Sequence, residues 1–147
     1  MFELKELRRE DFPAVKELFR RAFSGPPWND DWSDDVRLEE YLKDITQVRG
    51  AVGLGLFDEG SLVGISIGEL RHWCGGTEYK IEEFCIIPER QGSGLGGRFM
   101  ELIEGYLKQR GVEQIFLMTQ RTMPACGFYK HLGFREINGL VSLIKEL

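Results

Sequence analysis

The 147 residues include 19 Lys+Arg against 24 Asp+Glu, for a net charge of -5 and a sequence pI near 5.2. With 42% hydrophobic and 29% charged residues, the composition is that of a globular protein rather than a disordered or fibrous chain, and the length fits one domain over 1-147. The acidity excludes a nonspecific nucleic-acid binder, which needs Lys and Arg to neutralise phosphates. It suits a cationic partner. No run of about 18 apolar residues exists and the first ten residues are too charged for a signal peptide, so the expectation is a cytoplasmic protein with no membrane partner.

In chain order, Phe2 to Leu7 alternates apolar and charged residues, an opening strand. Asp11 and Pro13 start a helix with Val15, Leu18, Phe19, Ala22 and Phe23 at helical spacing, and Gly25-Pro26-Pro27 stops it. Ser33 is the N-cap candidate of a second helix, with Asp34 and Asp35 in its first turn and Val36, Leu38, Tyr41, Leu42 and Ile45 as its apolar stripe. From Gly50 the period becomes two. Ala51 to Phe57 and Leu62 to Leu70 read as a hairpin, followed by a strand from Glu78 to Ile87 that Pro88 ends. Phe99, Leu102, Ile103, Tyr106 and Leu107 mark a helix closed by Gly111, Ile115 to Met118 a short buried strand, and Ala125 to Leu132 a short helix ended by Gly133. Phe134 to Ile137 and Val141 to Ile144 read as two final strands. Hairpins feeding one strand-helix-strand crossover predict an α/β (α+β) fold: a mixed, mostly antiparallel sheet with helices on both faces.

Cys74, Cys85 and Cys126 are widely spaced with no C-x-x-C pair, which supports neither a disulfide framework nor a metal site. The chemistry concentrates in Pro88-Glu89-Arg90-Gln91-Gly92-Ser93-Gly94-Leu95-Gly96-Gly97, which joins a strand to a helix. Glycines let backbone N–H groups turn inward and the helix N-terminus adds partial positive charge, so the segment suits a pyrophosphate. The P-loop pattern is absent. Gly92, Gly94 and Gly97 satisfy the G-x-G-x-x-G dinucleotide fingerprint, yet the hairpins before it and the 50 residues after it leave no room for a doubly wound parallel sheet.

Read as Gln91-x-x-Gly94-x-Gly96, the turn resembles the Q/R-x-x-G-x-G/A signature of the GNAT superfamily, the Gcn5-related N-acetyltransferases. Ala125-Cys126-Gly127-Phe128-Tyr129-Lys130-His131-Leu132-Gly133-Phe134 resembles that family's A-x-x-F-Y-x-x-x-G-F segment. The resemblance implies acetyl transfer from acetyl-CoA to an amine. It implies that the strand segment Phe84, Cys85, Ile86 and Ile87 pairs with the pantetheine. Gln91, Gly92, Ser93, Gly94, Leu95 and Gly96 would hold the pyrophosphate, and Ala125 and Phe128 would line the cofactor. Many members carry Asn where this chain has Thr122, whose hydroxyl can still donate to the pantetheine.

An alkylammonium of pKa about 10.4 must lose a proton before it can attack a thioester, which costs roughly 4.6 kcal/mol at pH 7. Glu82 and Glu83 precede the glycine turn in Ile81-Glu82-Glu83-Phe84, and strand alternation sends only one into a cleft. Similarity to the I-D/E-x-F stretch of aminoglycoside 6'-N-acetyltransferases favours Glu82 as the base. The resemblance makes Tyr129 the acid for the leaving thiolate, with modest help expected because a phenol near pKa 10 is a weaker acid than a thiol near 8.5. Neither Cys85 nor Cys126 has a histidine neighbour in sequence, so the expectation is direct attack in a ternary complex. Trp28, Asp30, Asp31 and Trp32, with Asp34 and Asp35 beyond, offer stacking and cation-attracting surface for the acceptor. The reading is a small cationic amine as partner. A protein or peptide amine and a catalytically inactive acyl-CoA-binding module are the alternatives, and a homodimer stays open.

Overall fold

In the computed structural model, which describes residues 1–147, the element order is β1 (Phe2–Glu6), α1 (Phe12–Ser24), α2 (Asp35–Thr46), β2 (Ala51–Asp58), β3 (Ser61–Trp73), β4 (Gly76–Ile86), α3 (Leu95–Gln109), β5 (Val112–Leu117) and α4 (Pro124–His131). The strands form one sheet in the order β1-β2-β3-β4-β5, antiparallel throughout except for the parallel β4–β5 pair. That exception follows from connectivity, because α3 is a crossover between β4 and β5 and hairpins join β2, β3 and β4.

Each face of the sheet has its own core. On one face Val15, Leu18 and Phe19 of α1 and Leu38 and Leu42 of α2 pack on Ile65, Ile67 and Cys85. On the other, Phe99, Met100, Ile103 and Leu107 of α3 pack on Leu54, Leu56, Tyr79 and Ile81, with Tyr129 of α4 and Leu132 just after it at the margin. The buried Tyr79 hydroxyl is satisfied by Ser66 Oγ at 2.9 Å and the Val52 carbonyl at 3.2 Å, so the sheet interior carries no unpaired phenol.

Two irregularities position the site. Ile67 pairs with Glu83 and Gly68 with Ile81, which leaves Glu82 as a bulged residue of β4. Gly68 has to be small there, since a Cβ would lie 2.4 Å from the Lys80 carbonyl. The bulge shifts the side-chain alternation by one. Tyr79 and Ile81 before it face α3, and after it Phe84 and Ile86 do so while Cys85 faces α1 and α2. The second irregularity is the end of the β4–β5 ladder at Ile81 and Leu117. Beyond that pair β4 runs on to Ile86 without a neighbour on its outer side, and the sheet splays open.

Two sequence expectations are corrected. Asp34, not Ser33, caps α2: its carboxylate accepts the Arg37 N–H at 3.1 Å, while the Ser33 hydroxyl donates to Asp31 at 2.6 Å. The strands expected at Phe134–Ile137 and Val141–Ile144 do not form. Residues 134–147 make only two backbone hydrogen bonds, Phe134 N–H to the Tyr129 carbonyl and Leu140 N–H to the Ile137 carbonyl, and neither is a ladder bond. Phe134, Arg135 and Ile137 stand off the outer edge of β5 across a cavity of about 380 Å³. Period-two patterning signals competence to pair, but a strand exists only where an edge receives it.

Candidate active site

The glycine turn is built to present amides. Pro88–Arg90 form a single 3₁₀ turn after β4, Gln91 is extended, and Gly92 and Gly94 adopt φ of 75° and 83°. A Cβ at either glycine would meet nothing, so backbone conformation rather than crowding demands glycine at Gly92 and Gly94. The N–H groups of Gly92 to Gly97 find no acceptor within the protein, and the first amide engaged is Arg98, bonded to the Gly94 carbonyl at 3.2 Å. These free donors, at the positive end of a 15-residue helix, fit a pyrophosphate. The Gln91 side chain turns back, with Nε2 donating to the Ile86 carbonyl at 3.0 Å. It thereby ties the turn to the end of β4. Gly96 has a second reason to be small: a Cβ would sit 3.0 Å from the ring of Phe128, which packs α4 beneath the turn.

Along the splay, Phe84 stacks between Phe99 at 5.2 Å and Phe128 at 5.9 Å, and Tyr129 meets Phe84 and Phe128 edge-on at 6.2 and 5.2 Å. This aromatic group fixes α4 against β4 and brings Tyr129 to the same opening as Glu82, Glu83, Phe84 and Ala125. The opening is a cleft of about 610 Å³ whose opposite wall is Trp28, Asp30, Trp32 and Tyr41. Thr122 is exposed and lies outside the cleft lining, and Cys85 is buried against the α1/α2 core.

Glu83 projects from β4 toward α2 and accepts a 2.5 Å hydrogen bond from the Tyr41 hydroxyl. Burial pushes its carboxyl up to about 7; the Tyr41 hydrogen bond opposes the rise, and the nearby charges of Glu82 and Asp30 add to it. Tyr41 is raised far above its ordinary value, first by burial and then by the Glu83 charge, so it stays a neutral donor. Glu82 is ion-paired with Lys80 at 3.0 Å. Burial, with Cys85 and Glu83 adding, holds the Tyr129 phenol above its ordinary value. No group of the protein accepts or donates a hydrogen bond at its hydroxyl, which leaves the phenolic proton to a ligand.

The acidic loop divides by role. Asp30 lines the cleft and has no ion-pair partner. Asp31 turns onto Ser33, whose N–H and hydroxyl hold its carboxyl below the usual range. Asp34 caps α2, and Asp35 pairs with Lys16 at 2.7 Å and with Arg20. Trp32 stacks on Tyr41 at 5.4 Å and meets Phe19 edge-on at 5.5 Å, and Phe23 backs Trp28 at 5.8 Å. The buried Nε1 of Trp32 has no partner within the protein. Reading the sequence finds both tryptophans and both glutamates but misses Tyr41, counted as one residue of an apolar stripe. The available signal was that a tyrosine on an apolar stripe brings a hydroxyl that needs a partner.

A sheet that splays beside a strand-to-helix turn rich in free amides, with a carboxylate and a phenol in one cleft, defines an acyl-CoA-binding fold. Residues 4–134 match the model of the Acetyltransferase (GNAT) family. The chain is 28% identical over 117 residues to the aminoglycoside N(6')-acetyltransferase type 1 of Stenotrophomonas maltophilia, covering 75% of this chain and 76% of that protein. It is 27% identical over 146 residues to an acetyltransferase of Pectobacterium atrosepticum, covering 99% and 95%. Among solved structures, AAC(6')-Iy in complex with the bisubstrate analog CoA-S-monomethyl-acetylneamine superposes with a TM-score of 0.73 at 15% identity, covering 100% of this chain and 99% of that one. The chain belongs to the GNAT family and is an acetyl-CoA-dependent N-acetyltransferase.

Proposed function

We propose that the chain acetylates the primary amine of a small cationic acceptor in a ternary complex, with Glu83 as base and Tyr129 as acid. The observation that carries this is their placement in one cleft beside the stretch of β4 that has no neighbour on its outer side. The free amides of Gly92 to Gly97 hold the pyrophosphate, and Phe84 to Ile86 of β4, open on the side away from β3, together with the following Ile87 take the pantetheine. The thioester then lies between Glu83 and Tyr129. Glu83 accepts a proton from the ammonium, directly or through one water. The freed nitrogen attacks the carbonyl carbon, a C–N bond forms and the C–S bond breaks, and the Tyr129 hydroxyl donates toward the departing sulfur. Cys85 is buried and its thiol is pushed up by burial, which argues against a covalent relay.

Glu83 is preferred to Glu82 because a carboxyl near 7 is matched to proton transfer at neutral pH, whereas Glu82 is occupied by Lys80. For the acceptor, Asp30 on the wall of Trp28, Trp32 and Tyr41 faces Glu83 on β4 across the cleft, which favours a cation attached to a body that stacks. The similarity to aminoglycoside acetyltransferases supports a small-molecule acceptor. An acetyl-transfer screen across amine classes tests the reading, with peptide amines as the rival arm. With the best acceptor, Glu83→Gln should lower kcat/KM by about 10²-fold or more and Tyr129→Phe by roughly 10²-fold, both with acetyl-CoA affinity retained. Loss of turnover in Glu82→Gln with Glu83→Gln intact would reassign the base.

A further inference from the structure

Trp32 stands in the acceptor-side wall of the cleft in a position that costs free energy to keep. Its Nε1 is buried with no partner, and a buried donor without an acceptor is destabilising. The residue is held by what packs on its ring, Tyr41 in a stack at 5.4 Å and Phe19 edge-on at 5.5 Å, and by what fixes its backbone. Residues 31–33 make one polar bond to another element, in which Arg20 Nε of α1 donates to the Trp32 carbonyl at 3.4 Å. The Nη2 of the same guanidinium is on Asp35, the first residue of α2, which Lys16 also holds at 2.7 Å while reaching Glu39 at 2.9 Å. The line from Arg20 to the cleft is continuous. It runs from the Trp32 carbonyl through the indole and the Tyr41 ring to the Tyr41 hydroxyl, which donates to Glu83 at 2.5 Å.

We propose that Arg20 is a positioning residue of the acceptor site: anchored on Asp35, it holds the Trp32 carbonyl and so keeps the indole stacked on Tyr41 and the wall set against Glu83. The inference rests on the acceptor cleft and the base proposed above. Arginine suits the task because one planar guanidinium donates from Nε and Nη2 in fixed directions, to the loop and to α2 at once. Stability alone does not account for the arrangement, since Asp35 already has Lys16 and ion pairs as exposed as Arg20–Asp35 contribute little in water. What the pair fixes is geometry. Around Glu83 stand Tyr41 of α2, Asp30 of the loop, Tyr129 of α4 and, on its own strand, Glu82 and Cys85, and none of them is a cation. With the loop released, water reaches the carboxyl and Asp30 moves off, and both changes favour the charged form. Tyr41 sits on α2 rather than on the loop, so its bond to Glu83 survives.

The test compares Arg20→Met, which keeps the apolar stem and loses both donors, with Arg20→Lys and with Glu17→Gln. The last removes the other carboxylate beside Arg20, at 3.7 Å, without touching the loop. Two quantities are measured: the Glu83 midpoint by carboxyl carbon NMR titration of the free protein, and the KM and kcat of the best amine from the acceptor screen. In Arg20→Met the midpoint should fall by about one pH unit and the acceptor KM should rise about tenfold, with acetyl-CoA affinity and plateau kcat retained. Arg20→Lys should lie between Arg20→Met and the parent, and Glu17→Gln should match the parent. A midpoint or an acceptor KM that stays at the parent's value in Arg20→Met overturns the proposal. Equal changes in Glu17→Gln overturn it as well, because charge along α1 rather than the hold on the loop would then be the cause. Should Arg20→Met not fold, Asp35→Asn removes the anchor of the guanidinium and carries the same expectations. Full turnover in Glu83→Gln would instead sink the reading of Glu83 as base, and the two measurements on Arg20 would still decide the clamp.

Discussion

Burial, with the charges of Glu82 and Asp30 adding, favours the protonated form of Glu83, and its value about 7 lies above the ordinary 4.5. Between these values the folded protein binds more protons than the unfolded chain, so the contribution of Glu83 to stability is present at low pH and is lost as pH rises through about 7. Raising the carboxyl from 4.5 to about 7 corresponds to a cost on the order of 3 kcal/mol above that window. Glu83→Gln keeps the shape and can still accept from Tyr41, so urea unfolding should find it more stable than the parent at pH 8 and about equal at pH 4. As the proposed base, the same carboxyl should set the acid limb of kcat/KM, which is then expected to rise with pH through about 7. Tyr41→Phe removes the one hydrogen bond that lowers the Glu83 value, so the limb should move to higher pH. A limb that stays in place would separate Tyr41 from the proton transfer.

At the scale of elements, the turn and the N-terminus of α3 act as one unit, in which Gly92 and Gly94 supply left-handed backbone and the helix supplies aligned amides. Gly94→Ala and Gly94→Asp impose similar backbone strain, of order 1 kcal/mol, and each Cβ would enter open space. Only Asp adds negative charge beside a pyrophosphate. Calorimetric titration should therefore show acetyl-CoA affinity falling by more than tenfold further in Gly94→Asp than in Gly94→Ala, with both proteins folded. Equal affinities would mean that the turn does not hold the phosphates. The bulge at Glu82 is the other device at this scale. By shifting alternation one residue, it aims Glu83 at Tyr41 while Phe84 stays in the aromatic stack below α4.

At the scale of the whole molecule, the two layers of helices hold β4 and β5 together only as far as Ile81 and Leu117. Past that point β4 keeps its ladder to β3 but has none to β5. A ligand lying there stabilises the native state by mass action, so acetyl-CoA at about one hundred times its Kd should add about 2.7 kcal/mol. Thermal unfolding with and without acetyl-CoA measures this, and a ligand that leaves Tm unchanged would deny the splay as its site. Hydrogen exchange should show the same protection concentrated at Phe84 to Ile87 and Gly92 to Gly97.

Local pattern determined a good deal. The spacing of Val15, Leu18, Phe19, Ala22 and Phe23, the switch to period two at Gly50, and the glycine turn between a strand and a helix are legible in the sequence because helix faces, strand alternation and left-handed turns are set by neighbouring residues. The turn and the Phe128-Tyr129 segment were enough to reach the family. Three matters lay beyond that range. Which glutamate turns toward Tyr41 depends on a bulge, and a bulge is a relation between two strands that neither strand spells out. Which aspartate of the acidic loop meets the cleft depends on distant partners, since Ser33, the α2 amides, Lys16 and Arg20 claim Asp31, Asp34 and Asp35 and leave Asp30. Whether Val141 to Ile144 is a strand depends on an edge to receive it. A sequence encodes the propensity of each segment, but pairing, burial and the competition for charges are properties of the assembled chain, decided only when residues far apart in sequence meet.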